Sequence, residues 1–184
     1  MTEPVTTRHL LIMRHAKAAW PQVEDRLRPL ADRGRRDAPA VGRWLRETAL
    51  RLDGFTLDRV VCSPARRTRE TWELVAGELD APPQPVYDGR VYAATAATLL
   101  TVLRETPPRV RGLVLVGHNP GMQSLAVALA HEDSGEPLER ILDKYPTSGV
   151  ALFRVEGAWS RLLPGNALLT EFAVPRGAAG EHEE

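Results

Sequence analysis

Two histidines close short apolar runs. His9-Leu10-Leu11-Ile12-Met13 leads into Arg14-His15, and Leu113-Val114-Leu115-Val116 leads into Gly117-His118-Asn119-Pro120-Gly121. A neutral imidazole attacks phosphorus through one ring nitrogen when the other is held by a hydrogen bond, and water later clears the phosphohistidine. His15 is the candidate for this step. Arginine suits the anion such a site would hold, because its planar fork donates in pairs and keeps its proton at any working pH. Arg14 adjoins His15, and Arg66, Arg67 and Arg69 cluster just after Pro64. His118, if protonated, would stabilise charge on the transferring oxygens, with backbone N–H groups of a helix opening near Gly121 directed the same way.

These residues need a scaffold that brings them together. Apolar runs alternate with longer helical patterns, the signature of an α/β fold with a largely parallel sheet. The strands read as His9 to Met13, Arg59 to Cys62, Gln84 to Tyr87, Gly112 to Val116, Gly149 to Arg154 and Leu168 to Ala173. Ala38, Val41, Trp44, Leu45, Ala49 and Leu52 recur at helical spacing and predict a helix over Ala31 to Leu52. A second helix should run from beyond Pro64 to Leu79, a third over Ala93 to Arg104, and a fourth over Gly121 to Ala130. Residues 131–147 read as an excursion at the sheet edge, with a short helix around Leu138 to Leu142. In an open parallel sheet the carboxyl ends of the strands share one crevice, so distant residues at those ends converge.

A lone histidine after a strand is more often structural than catalytic, and arginines at a helix start usually form a solvated face. The coincidence of both features at strand ends is what favours chemistry. The chain has no Gly-x-x-x-x-Gly-Lys loop, no Gly-x-Ser-x-Gly elbow and no His-Glu-x-x-His helix, so nucleotide hydrolysis, serine esterase and zinc protease readings lack their residues. At 184 residues, one domain is expected, with a core over about 9–175 and a flexible tail over 176–184. Lys plus Arg and Asp plus Glu each number 24, which supplies no global field for nucleic acid or an anionic membrane. No apolar stretch reaches the roughly 20 residues needed to span a bilayer. The one cysteine, Cys62, permits no internal disulfide. A cytoplasmic, monomeric protein is expected.

The motifs resemble those of the histidine phosphatase superfamily, the phosphoglycerate-mutase-like enzymes, and within it the SixA-type phosphohistidine phosphatases. Arg14-His15-Ala16-Lys17 is similar to the family's Arg-His-Gly, and Arg28-Pro29-Leu30 with Gly34 is similar to its Arg-Pro-Leu…Gly segment. Ser63 to Thr71 matches Ser-x-x-x-Arg-Ala-x-x-Thr, which selects Arg67 rather than Arg66, and Val116-Gly117-His118-Asn119-Pro120 matches the second histidine loop. The resemblance implies a three-layer α/β/α sandwich with a mostly parallel sheet, minimal and without a cap insertion. It also implies His15 as nucleophile, Arg14, Arg67 and His118 as the phosphate pocket, and Arg28 as a further anion contact. No metal or other cofactor is implied.

Relatives that hydrolyse phosphomonoesters use a carboxylate acid from the segment between the arginine helix and the second histidine. This chain offers Asp80, Asp88 and Glu105 there, of which Asp88 is the best placed, although it matches no motif. An alkoxide leaving group needs a proton in the transition state, worth about a hundred- to ten-thousandfold in rate. Imidazole leaving from phosphohistidine needs far less help, while Asp25, Asp88 or a bound water could supply a proton to a more basic group. The expected function is therefore a metal-independent phosphatase acting on phosphohistidine in proteins, with a small phosphate ester as the alternative substrate and a non-catalytic phosphate-binding module as the remaining reading.

Overall fold

The computed structural model describes residues 6–178. Six strands form one sheet: β1 (Thr7–Arg14), β2 (Arg59–Cys62), β3 (Pro85–Tyr87), β4 (Gly112–Gly117), β5 (Val150–Glu156) and β6 (Ala167–Ala173), in the order β3-β2-β4-β1-β5-β6. The first four strands in that order pair in parallel, while β5 and β6 add antiparallel pairs at one edge. Period-two alternation assigns side chains to the two faces. Leu11, Met13, Val60, Cys62, Val114 and Val116 pack in one core with Val41, Leu45, Trp72 and Val75. Leu10, Ile12, Val61, Leu113 and Leu115 pack in the other with Leu99, Leu103, Leu125 and Ile141.

Five helices supply those layers. On the first face lie α1 (Asp32–Glu47) and α2 (Arg66–Ala76), and on the second α3 (Ala96–Arg104), α4 (Gly121–Leu129) and α5 (Gly135–Asp143). This is the three-layer architecture expected. Helix α1 is shorter than its apolar periodicity suggests, because it stops at Glu47 and Ala49–Arg51 tightens into a 3-10 turn that buries Ala49. Helix α3 starts three residues late, where the Thr95 side chain accepts from the Thr98 N–H and caps it. Helix α5 is longer than the sequence suggests, and its charged residues face outward while Ile141 is buried.

Ordered contacts extend past the expected end of the core. Arg176 donates to Asp37 at 3.1 Å and to the Thr147 carbonyl at 2.9 Å, and the Gly177 N–H donates to Asp37 at 3.0 Å. The tail therefore does not begin at Arg176, because the buried Asp37 carboxylate takes both residues as hydrogen-bond donors. The remainder of the expected tail, 179–184, lies outside the described residues. Among the described residues no helix is long and apolar enough to cross a membrane.

Candidate active site

Strand register brings the two histidines together. Arg14 of β1 pairs with Gly117 of β4, and the His15 N–H donates to the Gly117 carbonyl at 3.0 Å. The next residue on each strand is thus a histidine, and the two rings lie 5.3 Å apart between centroids. On the other side of β4, Cys62 pairs with Val116 and the Ser63 N–H continues the ladder to the Val116 carbonyl. Ser63 then places its Oγ 2.7 Å from His118 Nε2. Beyond the Pro64 turn, α2 opens and directs Arg67 inward, whereas Arg66 is exposed and pairs with Glu70 at 2.7 Å.

Arg14, His15, Lys17, Ala18, Trp20, Arg28, Arg67, His118, Asn119 and Thr147 line one cleft of about 230 Å³. The structure thus collects His15, His118, Arg14, Arg67 and Arg28 in one place. Arg28 reaches it because 17–19 and 29–31 run antiparallel: the Ala19 N–H donates to the Pro29 carbonyl and the Ala31 N–H to the Lys17 carbonyl. Gly34 makes that approach possible. A Cβ there would sit 2.2 Å from the Lys17 carbonyl oxygen.

His15 Nδ1 lies 2.7 Å from the Ala16 carbonyl oxygen, which accepts its N–H and leaves Nε2 with a free lone pair. Burial, with help from the charges of His118, Arg67 and Arg14, pushes its pKa down to about 3. Burial and Arg67 similarly push His118 down to about 4. Both imidazoles are neutral near pH 7. Arg14 donates to the Tyr145 carbonyl at 2.9 Å, and Asn119 donates to the same oxygen at 3.0 Å, so one carbonyl ties the two histidine loops. Arg14 Nε, Arg67 Nε and His118 Nδ1 are buried without a protein hydrogen-bond partner. Three residues of one electropositive cleft therefore hold unused polar atoms, which an oxyanion can satisfy.

Several contributors escape sequence reasoning. Thr71 Oγ1 accepts from the Ala16 N–H at 3.0 Å and donates to the Arg67 carbonyl at 2.6 Å, linking the nucleophile's loop to α2. The pattern Ser63…Arg67…Thr71 was the available signal, and each of its residues makes a separate contact at the site. Asp25, a possible proton source in the sequence, serves the site as a charge partner instead. Its carboxylate lies 2.9 Å from Arg67 and 3.1 Å from Arg28, accepts from the Tyr92 hydroxyl at 2.5 Å, and its carbonyl accepts from Arg67 at 2.6 Å. The Tyr92 hydroxyl, then Arg67 and Arg28, hold the Asp25 carboxyl well below the usual carboxylate range.

Asp88 does not join this group. Its carboxylate caps the Arg90 N–H at 2.9 Å and pairs with the Arg90 guanidinium at 2.8 Å, which also binds Glu105 at 2.7 Å. These residues line a separate cleft with Arg59 and Val86, because the short β3 ends at the sheet edge and Asp88 turns toward its charge partner. Three of the N–H groups opening α4 are also committed elsewhere. Met122 donates to the His118 carbonyl at 3.0 Å, Gln123 to Asn119 Oδ1 at 3.3 Å and Ser124 to the Pro120 carbonyl at 2.9 Å. They brace the histidine loop instead of facing the cleft.

Residues 10–90 match the model of the histidine phosphatase superfamily (branch 1). Over 167 residues the chain is 41% identical to the uncharacterized protein Rv1276c of Mycobacterium tuberculosis, spanning 89% of this chain and all of that one. The chain belongs to the histidine phosphatase superfamily. Its fold is similar to that of a protein assigned as the phosphohistidine phosphatase SixA in Nakamurella multipartitia, with TM-score 0.80, 28% identity, and coverage of 94% of this chain and 99% of that chain. A protein assigned as SixA in Agrobacterium tumefaciens gives TM-score 0.73, 27% identity, and coverage of 91% and 99%. Phosphatase activity is the coarse function that this membership carries, in the SixA-type branch of the fold.

Proposed function

We propose that this superfamily member dephosphorylates phosphohistidine on proteins through a covalent phospho-His15 intermediate. The observation that carries the reading is the neutral, oriented imidazole: Nδ1 is tied to the Ala16 carbonyl at 2.7 Å while Arg14, Arg28 and Arg67 surround the same cleft. The Nε2 lone pair of His15 attacks phosphorus, a new P–N bond forms, and the bond from phosphorus to the substrate imidazole breaks. That imidazole takes a proton from solvent as it departs. Water then attacks the phospho-His15 phosphorus, inorganic phosphate leaves, and Nε2 regains its lone pair. Arg14 and Arg67 hold the phosphoryl oxygens, and Arg28 makes a further contact. A bound dianion raises the basicity of His118, which then takes a proton from solvent and acts as a charged donor during transfer.

The substrate class follows from the leaving group. Asp88 faces Arg90, and the carboxylate that pairs with the cleft's arginines, Asp25, is held ionised by Tyr92 and two arginines. An ionised carboxylate has no proton to give an alkoxide, so a leaving group that needs little protonation is favoured. A phosphorylated protein in the reducing cytoplasm, where the free Cys62 thiol is stable, is the partner this reading assigns.

Brief exposure to an aryl phosphate, alkaline denaturation and intact mass measurement should reveal one added phosphoryl group on the wild type and none on His15→Ala. A phosphoprotein panel should then show turnover of phosphohistidine far above phosphoserine. Equal turnover of both would overturn the substrate assignment, and a phosphoryl group retained by His15→Ala would overturn the mechanism.

A further inference from the structure

Trp20 is the most exposed large apolar residue described, at 78% exposure, yet it lines the phosphate cleft. Its indole is not free to swing at random. The Arg28 guanidinium carbon sits 3.4 Å from the ring centroid, and Arg28 is itself fixed by the Ala19 carbonyl at 3.0 Å and Asp25 at 3.1 Å. The backbone below is pinned by the Ala19–Pro29 hydrogen bond at 2.9 Å and by the bridge between Ala18 and Leu30. One face of the indole is thus covered by a cation that belongs to the cleft, and the high exposure leaves the other face to water.

An exposed tryptophan beside a polar cleft is unexplained by folding, since its apolar surface gains nothing there. A planar ring carried by the substrate would bury that face. We propose that Trp20 is a specificity-determining stacking platform for the leaving group, and that the group it takes is a flat π-system: the imidazole of phosphohistidine or the ring of an aryl phosphate. The inference rests on the phosphatase reading above and narrows it. Arg28 contributes twice, since it contacts the anion and holds the indole in place through the cation–π contact. An alkyl leaving group has no π-face to offer, so it gains less from the same surface.

Phosphonates test this without turnover. Calorimetric titration of phenylphosphonate and methylphosphonate should show tighter binding of the phenyl compound by the wild type. Trp20→Ala should reduce that phenyl-to-methyl selectivity by about three- to tenfold, the range expected from loss of one aromatic pair. Trp20→Phe should retain most of it. A selectivity ratio in Trp20→Ala equal to that of the wild type would overturn the platform while leaving the phosphatase reading intact. Failure of the wild type to bind either phosphonate would overturn both. Failure to trap phospho-His15 with intact phenyl selectivity would sink the catalytic mechanism alone.

Discussion

Keeping two imidazoles neutral inside the fold makes stability depend on pH, and the size of the effect can be worked out. His15 and His118 titrate at about 3 and about 4 in the folded chain, against 6.5 when unfolded. Both are depressed, so the unfolded chain binds more protons throughout the interval between the two states' values. Stability is therefore fully present above the unfolded pKa and falls as pH drops below it. Between about pH 7.5 and 5.5 each histidine removes about 1.4 kcal/mol, or about 2.7 kcal/mol for the pair. That is a sizeable part of a typical domain stability of roughly 5–15 kcal/mol. Asp and Glu titrate below this window in the unfolded chain, which keeps them out of the comparison. Urea unfolding at a series of pH values should show this loss, to which His9, also depressed by burial, adds, and His15→Gln should recover about 1.4 kcal/mol of it whatever the variant does to the stability at pH 7.5. Parallel curves for wild type and His15→Gln would mean that His15 titrates near its ordinary value, and the burial-driven depression of its pKa would have to be abandoned.

The remaining expectations follow from the same cleft. Arg67→Lys keeps the charge but loses paired donors, so steady-state catalytic efficiency should fall by at least about tenfold, while the solvent-facing Arg66→Lys should move it little; the reverse order would displace Arg67 from the pocket. Activity on an aryl phosphate should survive exhaustive chelation, because three arginines stand where a cation would have to sit; loss on EDTA with recovery on adding a divalent ion would contradict this. Catalytic efficiency should decline steeply with leaving-group pKa across substituted phenyl and alkyl phosphates, with Asp88→Asn close to wild type. A flat dependence together with a large Asp88→Asn defect would bring back a competent acid and small esters as substrates.

The parallel strands were legible because apolar runs ending in Arg14-His15 and Gly117-His118 leave few other structures open. What periodicity could not supply was register. Only the pairing of Arg14 with Gly117 shows that the two histidines are neighbours across one ladder rather than residues at the same end of a sheet. Arg67 was separable from Arg66 by its place in a motif, and the burial of one beside the exposure of the other gives the physical content of that motif. The pairing of Asp25 with Arg67, and Tyr92 altogether, stayed hidden because both residues come from segments without apolar periodicity, and the Arg67–Asp25 and Tyr92–Asp25 contacts span 42 and 67 positions of chain. Asp88 misled for the opposite reason. Its position along the chain was suitable, but Arg90 two residues later offers a nearer cation, and local ion pairing set the direction of the side chain.

The attachment of Arg176 and Gly177 to Asp37 has a practical consequence for anyone adding a fusion partner or shortening the chain. Asp37 is nearly fully buried, and without these two residues its remaining charged contact is Arg33 at 3.4 Å. Gly177 lies so close to α1 that a Cβ would fall 2.2 Å from the Arg36 carbonyl oxygen, so no other amino acid fits there without displacement. Truncation after Pro175 would leave a carboxylate stranded in helix α1, whose first turn carries the Gly34 contact with Lys17, two residues from the nucleophile. Tags and linkers placed beyond residue 178 spare this clasp, whereas a junction cut a few residues earlier would remove it.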